Sequence, residues 1–316
     1  MSQPAMRPVA PCVTFIYQLD DVLDGQIEYE IECNRRLFEP GARAQGIEYS
    51  FCRADELLPI VYQRPALLHA GKDLLAEPRC FAVSRVTWNA AADRFLKAVY
   101  ETILASDSLL LNRSGMGTDA LEHDKLSICA FARSLGIPTV DTYVVPFGKY
   151  APRVLKALPD GAEWIVKPRD MGMGMAVLKA ARGHQLRSAL DLVSQSANSY
   201  IIQPFIRNEG DLRVYIVDGR VEGTLLRRSA DGDYISNVSH GATPLWDVAL
   251  PADVESMSLN IAGALRASYL CIDWLLAEDG PLLNEWCTVM AGFRGSEKFG
   301  HAFFAWIARR IQERNA

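Results

Sequence analysis

The chain has 316 residues, 49% hydrophobic and 22% charged, a composition that suits a soluble globular protein of two or three packed lobes. Its net charge of −5 lacks the basic surface from which general nucleic-acid binders draw affinity, and no apolar run is long enough to span a bilayer. Seven scattered cysteines with no CxxC pair read as reduced thiols of a cytoplasmic protein, and the N-terminal stretch lacks the pattern of a signal peptide.

The first third alternates strands with helices. "CVTFIYQL" reads as a strand, "EYEIECNRRLFEPGARAQG" as a helix ending near Gly46, "IEYSFC" and "CFAVSR" as strands, and "AAADRFLKAVYETILASD" as an amphipathic helix before the strand-like "SLLLN". That order predicts a small parallel sheet, whose strand ends are the usual place for ligands. Residues just beyond the third strand, Arg85, Trp88 and Asn89, are therefore candidates for substrate contact.

From Arg113 onward the pattern changes. "EHDKLSICAFARSLGIP" predicts a helix stopped by Gly136, with Lys125 in its first turn. "TVDTYVV" is a strand, "EWIVKPRDMGMGMAVLKA" reads as strand, glycine loop, strand, and residues 185–196 form a helix. The last third is strand-rich: "YIIQPFI", then a hairpin turning at Asp218-Gly219, then "YISNVSHG". A helix, "DVESMSLNIAGALRAS", precedes a second hairpin in residues 271–287, and a basic helix over 303–314 ends the chain. The expected lobes are residues 1–112, 113–199 and 200–316.

Several residues carry chemistry. Lys167 ends an apolar strand, and Met171, Gly172 and Gly174 follow in a loop that could bring backbone N–H groups to phosphate oxygens. It is not a P-loop, because GxxxxGK[ST] is absent and a strand follows. Pro204 has no N–H, so the backbone at Phe205 and Ile206 is expected to leave the ladder and meet a flat ligand such as adenine. Glu209 and Asp211 suit ribose hydroxyls. Arg227 and Arg228 are adjacent in a strand, so one faces a cleft and the other solvent.

The second hairpin holds an acid in each apolar strand, Asp273 and Glu285. A three-residue connection, Glu278-Asp279-Gly280, would pair Ala277 with Pro281 and set Asp273 opposite Glu285. A two-residue turn would shift the register and part the acids onto opposite faces. Two facing carboxylates repel unless a cation joins them, and hard oxygens bridging to phosphates suit Mg²⁺.

The ordered set Lys125, Lys167, Gly172, Gly174, Gln203 to Ile206, Asp211, Arg213, Arg227 or Arg228, Asn237, Asp273 and Glu285 resembles the ATP-grasp superfamily. Within it, "GDLRVYIVDGRVEGTLLRRSADGDYISNVSHGA" is similar to the RimK-like and glutathione-synthetase-like carboxylate–amine ligases, over about residues 113–296. The resemblance implies an α/β ATP-grasp fold with an N-terminal α/β domain. It implies ATP held by Lys125, Lys167 and the Met171–Met175 loop, with Gln203, Pro204, Phe205 and Ile206 as adenine hinge and Glu209, Asp211 and Arg213 nearby. One or two Mg²⁺ ions would sit on Asp273 and Glu285, and Arg228 (or Arg227) would steady the transferred phosphoryl group. The activity implied is amide formation between amino acids or short peptides through an acyl-phosphate. Small molecules are the expected partners, not nucleic acid or membrane, and a homo-oligomer is allowed. A phosphotransferase and a non-catalytic nucleotide binder are the alternatives.

One departure stands out. RimK-like members read Glu-x-Asn where this chain reads Glu285-Trp286-Cys287, and cysteine is a soft ligand poorly matched to Mg²⁺. Either a metal site is weakened, or water replaces the ligand, or a bulge rotates Asn284 inward. Cys287 itself suits a small apolar filler. The following segment also lacks the usual Ser-Pro-Gly and supplies Arg294 as a candidate for gripping a carboxylate or the acyl-phosphate.

Overall fold

A computed structural model of the chain describes residues 7–19, 26–86, 90–111, 124–159, 163–172, 174–229, 234, 241–287 and 297–316. Trp88, Asn89, Asn237 and Arg294 lie outside the described residues, as does most of "YISNVSHG".

The N-terminal part contains β1 (Cys12–Leu19), α1 (Gln26–Ala44), β2 (Glu48–Arg53), β3 (Leu57–Val61), β4 (Pro65–His69), β5 (Lys72–Asp73), β6 (Cys80–Val86), α2 (Ala90–Leu104) and β7 (Leu109–Leu110). Strands β2-β1-β6-β7 form a parallel sheet. The strand β1 is apolar on both faces because both are covered. Val13, Phe15 and Tyr17 pack toward α1, while Ile16 joins Phe81 and Val83 against α2. A small antiparallel sheet, β3-β4-β5, packs beside α2. Its strands had no expectation in the sequence.

The middle part contains α3 (Lys125–Ser134), β8 (Tyr143–Val144), β9 (Glu163–Pro168), β10 (Leu178–Ala181), α4 (His184–Val193) and β11 (Tyr200–Pro204). The sheet order is β10-β9-β11-β8, antiparallel throughout. The strand β11 was expected in the last lobe, yet it pairs residue by residue with β9 from Tyr200↔Pro168 to Pro204↔Trp164. The central sheet therefore runs to Pro204, past the expected boundary at 199.

The last part contains β12 (Asn208–Val217), β13 (Arg220–Arg228), β14 (Thr243–Trp246), α5 (Ala252–Leu265), β15 (Tyr269–Ala277), β16 (Gly280–Cys287) and α6 (Glu297–Asn315). The antiparallel order is β14-β13-β12-β15-β16. One face, with Leu212, Val214, Ile272, Trp274, Leu283 and Trp286, is apolar and packs on α5. Ile128 and Ala132 of α3 join that cluster, so α3 serves the C-terminal sheet although it precedes the central one in sequence. The segment after α3 is held there too: the Leu283 N–H donates to the Pro138 carbonyl at 2.9 Å.

The other face of this sheet divides in two. Tyr215, Tyr269 and Cys271 pack with Phe299 and Phe303 of α6 in a core continuous with β1 and α1. Farther along the same strands the residues become charged. That charged half faces the central sheet. Among the described residues no helix is long and apolar enough to cross a membrane.

Candidate active site

A cleft opens between the central and C-terminal sheets, lined from both sides. Strand β9 alternates as period 2 demands. Trp164 and Val166 point into the α4 core, while Ile165 and Lys167 line the cleft. Leu275 of β15 supplies an apolar wall from the opposite sheet.

At the end of β11, Gln203 is buried and donates from Nε2 to the Thr142 hydroxyl at 2.9 Å. Pro204 still pairs within the ladder, and the Phe205 N–H donates to the Glu163 carbonyl at 2.7 Å. The chain therefore leaves the sheet one residue later than expected. Among the described residues the Ile206 N–H has no protein acceptor. Phe205 lines the cleft with Lys179 over its ring, 3.8 Å from the centroid.

The glycine loop and both lysines meet on the other wall. The Lys125 ammonium donates to the Met171 carbonyl at 2.6 Å and lies 3.2 Å from a Glu285 oxygen. Asp124 caps α3 through the Leu126 N–H and takes a fork of two hydrogen bonds from Arg169, which ties the helix start to the root of the loop. Lys167 donates to the Asn284 side-chain oxygen at 3.0 Å. Burial, with the Lys125 cation beside it, pulls the Lys167 ammonium down to about 8, against the pull of Glu285. Gly172, Gly174 and Met175 line the cleft, and Tyr234 donates its hydroxyl to the Val177 carbonyl at 3.1 Å.

The two acids of the second hairpin are register partners, Asp273↔Glu285. The expected three-residue connection is not what achieves this. Ala277 pairs with Gly280 across a two-residue turn, which alone would part the acids. A β-bulge between Trp274↔Leu283 and Asp273↔Glu285 takes up Asn284 as an extra residue and restores the pairing. Two departures from the expected hairpin cancel, and Asn284 is turned into the cleft.

Asp273 is 2% exposed and accepts three charge-assisted hydrogen bonds, two from Arg213 at 2.7 Å each and one from Arg227 at 2.9 Å. Burial opposes its ionisation, but the two guanidinium groups win and hold it well below the usual carboxylate range. Asp211 lies 2.7 Å from Arg227; burial raises its carboxyl to about 6 against the pull of Arg227, with Asp273 adding to the rise. Glu285 is lowered: burial works against the charge, and the Lys125 cation outweighs it.

Of the adjacent arginines, Arg227 is the buried one and Arg228 is exposed. Glu209 is also exposed and absent from the cleft wall, where Asn208 stands instead. No group of three or more His, Cys, Asp or Glu side chains is arranged to hold a metal among the described residues. Asp273 and Glu285 are nonetheless hard oxygen donors set face to face, a pair that fits an Mg²⁺ ion completing its shell with phosphate oxygens and water.

Residues 124–300 match the model of the RimK-like ATP-grasp domain, more than half of the chain. The chain belongs to the RimK-like ATP-grasp family. A probable alpha-L-glutamate ligase of Trichodesmium erythraeum is 23% identical over 261 residues, covering 79% of this chain and 82% of the relative. Among solved structures, the D-cycloserine synthetase DcsG superposes with a TM-score of 0.71 at 17% identity, covering 95% of this chain and 99% of that one. The ATP-grasp ligase PsnB, complexed with a variant of its minimal precursor, Mg and ADP, gives a TM-score of 0.63 at 14% identity, covering 96% and 98%.

Within this ATP-grasp frame the cleft gathers Lys125, Lys167, Met171, Gly172, Gly174, Gln203, Pro204, Phe205, Ile206, Asp211 and Glu285 of the residues singled out from sequence. Arg213, Arg227 and Asp273 adjoin them through the ion-pair network. Ile165, Val177, Asn208, Tyr234 and Leu275 were not anticipated. The alternation of β9 and β15 could have shown Ile165 and Leu275.

Proposed function

We propose that this protein is an ATP- and Mg²⁺-dependent carboxylate–amine ligase. A single observation carries the reading: two lysines, a glycine loop, Glu285 and an Ile206 N–H without a protein acceptor among the described residues converge on one cleft between two sheets, with Asp273 the buried register partner of Glu285. The apolar slot between Ile165 and Leu275 suits a flat base, with Ile206 N–H and the Gln203 backbone at its edge. Lys125 and Lys167 are point charges for the phosphates, and the loop N–H groups cover them. Mg²⁺, held by Asp273 and Glu285, would neutralise charge on the phosphates.

In the reaction, a substrate carboxylate oxygen attacks the γ-phosphorus of ATP, and the bond to the β-phosphate oxygen breaks, leaving ADP. An amine then attacks the acyl-phosphate carbon; its proton is lost, the C–O bond breaks and phosphate leaves. Arg227, buried beside cleft-lining Asp211 and fixed by two carboxylates, is the better placed of the arginine pair to steady the transferred phosphoryl group. Arg228 points to solvent. The Tyr234–Val177 contact links the segment beyond β13 to the glycine loop and would help exclude water, which would otherwise hydrolyse the intermediate.

The relatives named as glutamate ligases make an amino acid the first substrate to try, and the precursor-bound neighbour makes a peptide the second. Purified protein with ATP and Mg²⁺ is expected to release ADP and phosphate only when a productive carboxylate and amine are both present, with an amide product by mass spectrometry. No release across a panel of amino acids, glutamate included, and acidic peptides would overturn the ligase reading. Phosphate retained on the product would instead mark a phosphotransferase.

A further inference from the structure

We infer that Asn284 is the third protein oxygen donor of the magnesium–nucleotide site, and that Cys287 is excluded from it; this rests on the ligase reading above. The turn and the bulge together carry the inference. A three-residue connection without a bulge would set Asp273 opposite Glu285 equally well. The chain uses a shorter turn and then a bulge. The acid pairing is the same in both arrangements. What the bulge adds is one more side chain on the cleft face, and that side chain is Asn284.

The contacts agree. Leu283, one residue earlier, is fully buried in the core behind the sheet, and Trp286 returns to that core. Between them Asn284 and Glu285 both line the cleft. The Asn284 oxygen accepts from the Lys167 ammonium at 3.0 Å and so is already aimed at the cationic wall. An amide oxygen has a second lone pair and is a hard, neutral donor suited to Mg²⁺.

Cys287 is placed differently. It pairs with Cys271 and packs against the apolar cluster of Tyr269, Cys271 and Phe299. Its thiol lies on the apolar half of the sheet face, beyond the acids, and sulfur is a poor partner for Mg²⁺. Position 287, where the family resemblance leads one to expect asparagine, is given to packing, and the residue before the glutamate supplies the oxygen.

The test uses Mn²⁺ in place of Mg²⁺, with ADP, on the full chain, reading free Mn²⁺ by electron paramagnetic resonance. N284A is expected to weaken Mn²⁺ binding in the ADP complex by about tenfold or more, N284D to restore it, and C287S to match wild type. ADP affinity measured with EDTA should stay within about twofold for N284A. Equal Mn²⁺ binding by N284A and wild type overturns the assignment, as does an equal loss in C287S. A loss of ADP affinity in EDTA as large as that with Mn²⁺ also overturns it, since Asn284 would then act through Lys167 alone. Wild-type protein that binds no Mn²⁺·ADP would sink the nucleotide reading and this assignment together.

Discussion

Asp273→Ala is the natural test of the proposed metal site, but the structure predicts that it does more than remove one oxygen donor. The carboxylate is 2% exposed and is the acceptor for three hydrogen bonds from Arg213 and Arg227. Arg227 keeps Asp211 at 2.7 Å when Asp273 is lost, whereas Arg213 has no other carboxylate within ion-pair distance among the described residues. Breaking a buried ion pair from one side costs about 3–5 kcal/mol, because the remaining charge stays desolvated. Against a stability of about 5–15 kcal/mol that is a large share. Urea unfolding followed by tryptophan fluorescence checks it, since buried Trp274 is the next residue. Asp273→Asn keeps the shape and one acceptor and should lose less, and the pair Arg213→Met with Asp273→Leu should recover most of the loss. The sign with pH follows from the depressed carboxyl: the stabilisation is complete at neutral pH and is lost as pH falls below the ordinary carboxylate range. An Asp273→Ala protein within about 1 kcal/mol of wild type would refute this account of the network.

Other outcomes follow from the same geometry. Because Lys167 titrates near 8, ADP affinity should fall toward tenfold per pH unit above that value as the ammonium is lost, and Lys167→Gln should bind weakly with a flat profile; the same slope in both would exclude Lys167 as its source. Arg228→Ala should leave kcat/KM within about twofold, whereas Arg227→Ala should lower it by about a hundredfold or more; equal effects would remove the distinction between the exposed and buried arginine. At the crossing of α1 and α6, a Cβ on Gly300 would sit 2.4 Å from the Leu37 carbonyl oxygen, so Gly300→Ala should cost about 1–3 kcal/mol in thermal unfolding; an unchanged melting temperature would show that the helices part freely.

What the sequence revealed of this site depends on the range of the interaction. Period 2 within a strand is local, so the face of Lys167 was legible, and so was the rule that only one of Arg227 and Arg228 could face inward. Which one does was not legible, because it depends on the pairing of Asp211 with Arg227 across β12 and β13. The sheet that takes β11 is a similar case. The strand β11 is apolar and would suit either sheet, and only its ladder with β9 assigns it. Helix α3 follows the same logic, since its apolar face specifies burial but not the sheet that provides it. The hairpin is the sharper case. Turn length and bulge each shift register by one, so a sequence can support the right acid pairing through the wrong turn. The two hairpins differ in one respect that chemistry can detect: whether Asn284 faces Lys167. The 3.0 Å contact between them is therefore the observation that separates a bulged hairpin from a regular one, and the proposed donor role of Asn284 rests on it.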